Sequence, residues 1–505
     1  MKEPLYLIKS GDNVAVAISQ LQKGASVNAG ELSIVALDGI PPGHKVALAD
    51  IEPGQPIIKY GFPVGKAIVQ IEKGQHVHTH NVATLLSETP EYRYNPAPLP
   101  PGQDTPAPEI EVFRRRDGRV GIRNEIWIIP AVGCVNKTAE ILASWAMKEL
   151  ASDGCPGNGI DGVYAWTHPY GCSQMGNDHE LTKTILADLV KHPNAGAVLV
   201  LSLGCENNTP EGFKHALGSY ADDRERVAFL VTQDCADELE EGRKLLSMLA
   251  ENARKAHREK AKMSELIVGM KCGASDGFSG ITANPLVGRA SDALCGMGAS
   301  VILTEVPEMF GAEQMLMDRC ETRELFDKTV SLITDFKEYY RSHNQVVYDN
   351  PSPGNKAGGI TTLEEKSCGC VQKGGKAPVC GVYRYGEIIA SGRGGLALLE
   401  GPGNDIVSTT AMTAAGAHII LFTTGRGNPL GAPVPTIKIS TNSELAKKKS
   451  NWIDFDSGVI FETGADALCS KLLELIADIA SGREKTKNEL NDYREIAVFK
   501  NGVTL

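Results

Sequence analysis

EIWIIPAVGCVNKTAEILASWAMKEL, residues 125–150, sets out the architecture of most of this chain. Residues 125–130 form an apolar run short enough for a buried strand. Val132-Gly133-Cys134 reads as a tight loop, and residues 137–150 carry the apolar spacing of a helix. The same order returns downstream. GVYAWT (162–167) is followed by Tyr170-Gly171-Cys172 and a helical stretch at 178–191. AVLVLSL (197–203) runs into Leu203-Gly204-Cys205, and VAFLVT (227–232) precedes a long charged helix at 237–257. Short apolar runs alternating with helices predict a parallel sheet buried on both faces.

Toward the C-terminus a polar segment, 255–264, reads as a boundary, after which the alternation resumes. Strands are expected at 266–270, 300–304, 388–390, 418–422 and 437–440, and helices at 408–417 and 465–481. Toward the N-terminus, PAPLPPGQDTPAP (96–108) has the composition of a stiff, extended linker. Before it, short alternating runs at 5–8, 14–18, 32–37, 45–48, 56–60 and 67–71 are punctuated by Gly and Pro. They predict a compact β barrel or clip, with I-x-x-G-x-x-I/V units at 51–57 and 71–77 as paired strand-turn elements. The expected organisation is a β module over 1–95, a linker over 96–110, and α/β domains over 111–260 and 261–505.

The chain has 505 residues, enough for about three domains. Its 42% hydrophobic and 22% charged residues suit a large core. A formal net charge of −11 argues against a nucleic-acid or anionic-membrane surface. The absence of a long apolar run or a signal-like start points to a cytoplasmic protein. In that compartment the 12 cysteines are free thiols or metal ligands rather than disulfides. A homo-oligomer is compatible with the sequence.

Three groups of residues could carry chemistry. Cys134, Cys172, Cys205 and Cys272 each follow an expected strand, and in parallel sheets ligands bind outside the carboxyl ends of strands. Thiols there are soft ligands for iron or zinc, or else small buried residues filling turns. QHVHTHN (75–81) would place His76, His78 and His80 on one face of an extended strand, suited to a divalent metal or to solvent exposure. His44 sits in a turn of the same module. The third group is loop-rich: 273–285 (GASDGFSGITANP), 350–359 (NPSPGNKAGG) and 423–429 (TTGRGNP). Such turns present backbone N–H groups to anions; Arg426 can clamp a carboxylate, and Lys356 can hold one or act as a base. The signatures of a P-loop, of a nucleophile elbow and of a dinucleotide fingerprint are missing, which demotes ATPase, serine hydrolase and nicotinamide-dependent readings.

Taken in order, GHKVAL (43–48), IKYGFPVG (58–65), HVHTHN (76–81), VGCVN (132–136), YGCSQ (170–174), LGCENN (203–208), SDGFSGITANP (275–285), TEVPEMFGAEQ (304–314), NPSPGNKAGGITTLEEKS (350–367) and TTGRGNP (423–429) resemble the altronate/galactarate dehydratase family over almost the whole chain. The wider family includes the two-subunit sulfolactate sulfo-lyase. The histidine run and PEMFGAEQ favour the altronate branch. The resemblance implies an N-terminal SAF (β-clip) domain followed by two α/β domains. It also implies a hydro-lyase turning D-altronate into 2-dehydro-3-deoxy-D-gluconate in hexuronate catabolism, with ferrous iron, manganese sometimes being accepted. On that reading His44, His168 and Lys356 are the proton-transfer candidates. Arg426, Ser275, Asp276, Asn284, Asn355, Asn207 and Asn208 are candidates for the sugar acid. The metal would sit on His78 and His80, or an iron–sulfur cluster on Cys172, Cys205 and Cys272. Rival readings are a galactarate dehydratase, a sulfolactate lyase, or a non-catalytic sugar-acid-binding protein. The extra cysteines Cys155, Cys368, Cys370 and Cys380 receive no role.

Overall fold

The structure, a computed structural model, describes residues 4–30, 32–86, 91–97, 107–151 and 159–502. Residues 98–106 of the proline-rich stretch, and Cys155, lie outside the described residues.

In the middle of the chain Glu125–Pro130 pairs in parallel with Gly162–Ala165 on one side and Ala195–Ser202 on the other, and Val227–Val231 completes a four-stranded sheet. Every residue of Glu125–Pro130 is buried, because helices cover both faces. Ile126 and Ile128 join one core with Leu142 and Leu246, while Trp127 and Ile129 join the opposite core with Leu186 and Phe213. This two-residue alternation follows from the pleat. In the helix Asn136–Leu150 the buried positions Ala139, Leu142, Ala143 and Ala146 make one stripe, as a 3.6-residue period requires.

The polar segment at 255–264 contains a strand. Arg258–Ala261 pairs antiparallel with Ile110–Arg114, which also pairs with Val120–Gly121. Arg258, Glu259 and Lys260 stay at least partly exposed, so this edge carries charge instead of apolar residues.

The last part holds a seven-stranded parallel sheet in the order Val379–Tyr383, Gly395–Leu399, Ser300–Leu303, Ile267–Cys272, Ile419–Thr424, Thr436–Ser440, Phe455–Asp456. Residues 388–390, expected as a strand, are a connection instead. The two strands flanking it contain glycine and were not anticipated. Chain order reverses at Ile267–Cys272: the next strand lies on one side and Ile419–Thr424 on the other. The crevice at such a reversal is where ligands bind in open α/β sheets.

The N-terminal unit is all β, made of a four-stranded antiparallel sheet, a three-stranded sheet and a hairpin. Its two repeated units meet at an antiparallel bridge between Ile51 and Ile71. Each is closed by the same turn: Gln55 accepts from Glu52 N at 3.0 Å and Gln75 from Glu72 N at 2.8 Å. The strand expected at 67–71 lies earlier, at Phe62–Ala67. The chain is thus an all-β unit followed by two α/β units with parallel sheets. Among the described residues no helix is long and apolar enough to cross a membrane.

The β unit is fastened to the last sheet by buried charge. Lys45 and Lys59 both reach Glu365, on the helix Leu363–Cys370, at 2.8 Å, and all three side chains are at most 2% exposed. Glu365 also accepts from Thr361 N at 2.8 Å and Thr361 Oγ1 at 2.7 Å. Against its own burial, the two ammonium groups hold Glu365 well below the usual carboxylate range.

Candidate active site

The docked β unit brings three glycine-bearing segments together over the crevice. Gly277 donates its N–H to Gly358 O at 2.7 Å, and a Cβ at Gly277 would stand 1.9 Å from Gly43 O. Only glycine permits that approach. It delivers the neighbouring His44 to the last sheet.

His44 joins His76, His78 and His80. His44 Nδ1 lies 3.0 Å from His76 Nε2, and the ring centroids of His44, His76 and His78 are 5.0–5.3 Å apart. The His80 ring lies 5.5 Å from that of His76. The mechanism of clustering differs from the extended strand expected. Only His76–Val77 is strand, and a turn follows. Asn81 shapes it: Oδ1 accepts from His78 N at 2.9 Å, and Nδ2 donates to His76 O at 2.9 Å. Burial, reinforced by the neighbouring imidazoles, pushes His44 down to about 4 and His76 to about 3, and lowers His78. All three rings are thus held toward the neutral form.

Two cationic residues lie on segments tied to one another near the cluster. His78 Nε2 is 2.8 Å from Lys356 O, and His44 Nε2 is 3.4 Å from Ala357 O, so the turn bearing Lys356 lies against the rings. Arg426 follows the strand Ile419–Thr424 and is exposed; its Nη1 donates to Gly354 O at 2.7 Å. The remaining guanidinium donors and the half-buried Lys356 ammonium can receive an anion.

The other loop residues build the cradle instead of facing a ligand. Asp276 accepts from Phe278 N, Ser279 N, Ser279 Oγ and Thr441 Oγ1, all at 3.0–3.1 Å. Asn355 accepts from Ser352 in a capping box and donates to Ser275 O at 2.8 Å. Asn284 donates to Gly369 O and accepts from Thr423 Oγ1 at 2.7 Å. Side chains consumed in this way shape the site and have little left to offer a hydroxyl group. Ser275 lines a narrow cavity together with Tyr60, Glu365, Lys366 and Cys370.

The middle sheet does not share this site's contacts. His168, a candidate for proton transfer, is buried, with Nε2 on Pro130 O at 2.7 Å and Nδ1 accepting from Tyr170 N at 3.1 Å. Burial pushes it down to about 4. Both nitrogens are spent on shaping the Gly133 and Tyr170 loops, which makes it structural. Asn207 accepts from Ser173 N at 2.8 Å, and Asn208 donates to Ala131 O at 3.0 Å; both lace the rim of the middle sheet. Cys134, Cys172 and Cys205 are exposed on that rim.

Cys272 is elsewhere. It is buried at the end of Ile267–Cys272, with Cys370 Sγ at 3.4 Å, Glu308 Oε2 at 3.1 Å and Lys373 Nζ at 2.7 Å. The structure therefore does not bring Cys172, Cys205 and Cys272 together as one cluster. Around Cys272 runs a charge network the sequence reading missed. Lys271 reaches Glu305 and, at 2.7 Å, Asp405; Lys366 reaches Glu308 at 2.7 Å; Asn428 ties Asp405 to the loop that carries Arg426. Its signal lay in TEVPEM and LEEKS, where charged residues interrupt otherwise apolar surroundings.

Three family models cover the chain: the altronate/galactarate dehydratase SAF domain over residues 4–85, the D-galactarate dehydratase/altronate hydrolase second domain over 112–254, and the D-galactarate/altronate dehydratase C-terminal domain over 263–504. The chain is 50% identical over 499 residues to an altronate dehydratase of Escherichia coli (strain K12), covering 98% of each chain. It is 48% identical over 500 residues to an altronate dehydratase of Bacillus subtilis (strain 168), covering 99% of each. With a galactarate dehydratase (L-threo-forming) of Escherichia coli (strain K12) it shares 33% over 506 residues, 97% of this chain and 95% of that one. Matched from end to end by these proteins, the chain belongs to the altronate/galactarate dehydratase family.

Proposed function

We propose that this chain is a hydro-lyase that removes water from D-altronate to give 2-dehydro-3-deoxy-D-gluconate. Near-full-length identity of 48–50% to two altronate dehydratases, against 33% to a galactarate dehydratase, carries the choice of substrate. The same reading makes it a cytoplasmic enzyme of sugar-acid catabolism.

The reaction takes a proton from C2, next to the carboxylate, and expels the C3 hydroxyl. The enol so formed becomes the 2-oxo acid. Arg426 and Lys356 hold the carboxylate and stabilise the charge that builds on it as the proton leaves. His44 lies between the other imidazoles and the Lys356 turn; its Nδ1 is tied to His76 at 3.0 Å, and its Nε2, only loosely placed at 3.4 Å from Ala357 O, is the nitrogen that takes the C2 proton. The glycine-rich loop, braced by Asp276, Asn284 and Asn355, keeps the cradle rigid.

Ferrous iron, with manganese as a substitute, fits the histidine cluster by the chemistry of its donors. His78 Nε2 lies against the Lys356 carbonyl, while Nδ1 meets, among the described residues, only the Thr79 hydroxyl at 3.0 Å. One nitrogen on a carbonyl and the other with a usable lone pair is the arrangement of a metal-binding imidazole. His78 and His80 would hold the ion; among the described residues no three histidine nitrogens converge within 4.8 Å, and His76 stays on His44. Bound there, it supplies Lewis-acid polarisation of the carboxylate and the departing hydroxyl.

The test is release of 2-oxo acid from altronate, galactarate and sulfolactate by iron-replete protein kept free of oxygen. Altronate should be turned over fastest. Failure to turn over altronate overturns the proposal.

A further inference from the structure

Among the described residues, one group of three metal-ligating side chains has its donor atoms within 4.8 Å of one another: Cys272, Glu308 and Cys370. None of the three belongs to the histidine cluster. We propose that these residues form a second metal site, for a soft divalent ion of the zinc or ferrous class.

Two thiolates and a carboxylate are a recurring three-ligand set for such ions. The donors come from three separate elements: the end of the strand Ile267–Cys272, the turn Val306–Met309 and the end of the helix Leu363–Cys370. The site thus lies at the carboxyl edge of the last sheet, beside the reversal of strand order. Its supporting layer is in place. Lys373 donates to Cys272 Sγ at 2.7 Å, and Lys366 holds Glu308 Oε1 at 2.7 Å, leaving Oε2 toward the thiol of Cys272. Such donors fix the orientation and charge of ligands without occupying the ion's position.

A second observation is independent of the donor set. Glu305, 1% exposed, spends Oε1 on Lys271, while its Oε2 has no hydrogen-bond partner among the described residues. Glu305 also holds a left-handed backbone, φ 67°, which is unfavourable for a residue with a Cβ. This buried carboxyl oxygen, three positions before Glu308 at the same sheet edge, is left without a partner among the described residues. Cys370 also lines the narrow cavity that Ser275 and Asn284 share. With three protein ligands, the ion would keep a position open toward that cavity. Binding displaces the thiol protons of Cys272 and Cys370 to solvent, forms two metal–sulfur bonds and one metal–oxygen bond, and transfers no electrons.

The experiment uses the full chain, purified without oxygen, stripped of metal and loaded with Co²⁺. Thiolate ligation gives an intense sulfur-to-cobalt charge-transfer band in the near ultraviolet that imidazole ligation lacks. The band should appear in the parent chain and in His78→Ala. It should vanish in Cys272→Ser and Cys370→Ser, with loss of about one equivalent of tightly bound Zn²⁺ or Fe²⁺ per chain by elemental analysis. The band should also persist in Cys172→Ser and Cys205→Ser, which separates this site from the exposed thiols of the middle sheet even if a Cys272 or Cys370 variant fails to fold. Absence of the band in the metal-loaded parent overturns the site, as does a band that survives both cysteine substitutions. Recovery of Cys272 and Cys370 as a disulfide from oxygen-free protein would overturn it too. These readouts do not depend on turnover, so they stand apart from the choice of substrate and from iron on the histidines.

Discussion

Replacing Glu365 with Gln should loosen the β unit from the rest of the chain. The change keeps the shape of the side chain and removes one charge. Lys45 and Lys59 would then lie 0% and 2% exposed without a counter-ion. Breaking a buried ion pair by deleting one partner costs about 3–5 kcal/mol, because a charge is left stranded. Here two ammonium groups share the one carboxylate, so the upper half of that range is expected. At about 1.4 kcal/mol per factor of ten, docking weakens roughly 10³- to 10⁴-fold. Amide hydrogen exchange localises the effect. The amides of Lys45–Ala47 should lose protection by that factor, while those of Ala195–Ser202 in the middle sheet should not change. Adding Lys45→Met to Glu365→Gln removes one stranded charge and should restore part of the loss, a positive coupling between contacting residues. Equal protection of Lys45–Ala47 in parent and variant, to within about 0.5 kcal/mol, would refute the reasoning.

Arg426→Ala should lower kcat/KM for altronate about 10- to 150-fold, the loss of a charge-assisted contact worth about 1.5–3 kcal/mol, with the melting temperature nearly unchanged because the residue is exposed. Unaltered kcat/KM would remove Arg426 from the carboxylate cradle. Gly277→Ala places a Cβ 1.9 Å from Gly43 O and should abolish turnover while far-ultraviolet circular dichroism stays near that of the parent; full activity would contradict the docked arrangement. His168→Gln should keep its activity at pH 7. In the parent, His168 is pushed to about 4 in the folded state against an ordinary 6.5, so only the unfolded chain takes up a proton between those values. Its contribution is complete above about 6.5 and is lost as pH falls toward 4, by ~3 kcal/mol. Urea melts at pH 7 and pH 4 should show the parent losing that much more than the variant, and equal losses would contradict the assignment. Dialysis against a chelator should stop altronate turnover and added Fe²⁺ restore it, as followed by 2-oxo acid release; undiminished turnover by metal-free protein would remove the ion from the reaction.

The parallel sheets were legible because they are buried on both faces: EIWIIP and AVLVLSL have no polar side to hide. Strands escaped notice where that condition fails. Arg258–Ala261 is an exposed edge carrying Arg, Glu and Lys, and Gly381 breaks the apolar run of Val379–Tyr383. The histidine cluster was visible from spacing even though a turn, not a strand, gathers the rings. His44 beside Lys356 was not readable locally, since 313 residues separate His44 from the carbonyl it approaches. Strand-end position does place Cys172, Cys205 and Cys272 alike. It says nothing of which sheet each strand joins, and the first two lie on one sheet and the third in the other. Asp276, Asn284 and Asn355 read as ligands because polar residues in glycine loops attract that reading. Their hydrogen bonds to neighbouring backbone became evident only from the fold.

The seam where Glu365 grips two lysines has an evolutionary consequence. What recognises the β unit is a buried lock made of side chains, so covalent continuity through residues 96–108 is a convenience and not the source of the pairing. A gene cut within that stretch would leave both halves of the lock intact, one on each polypeptide.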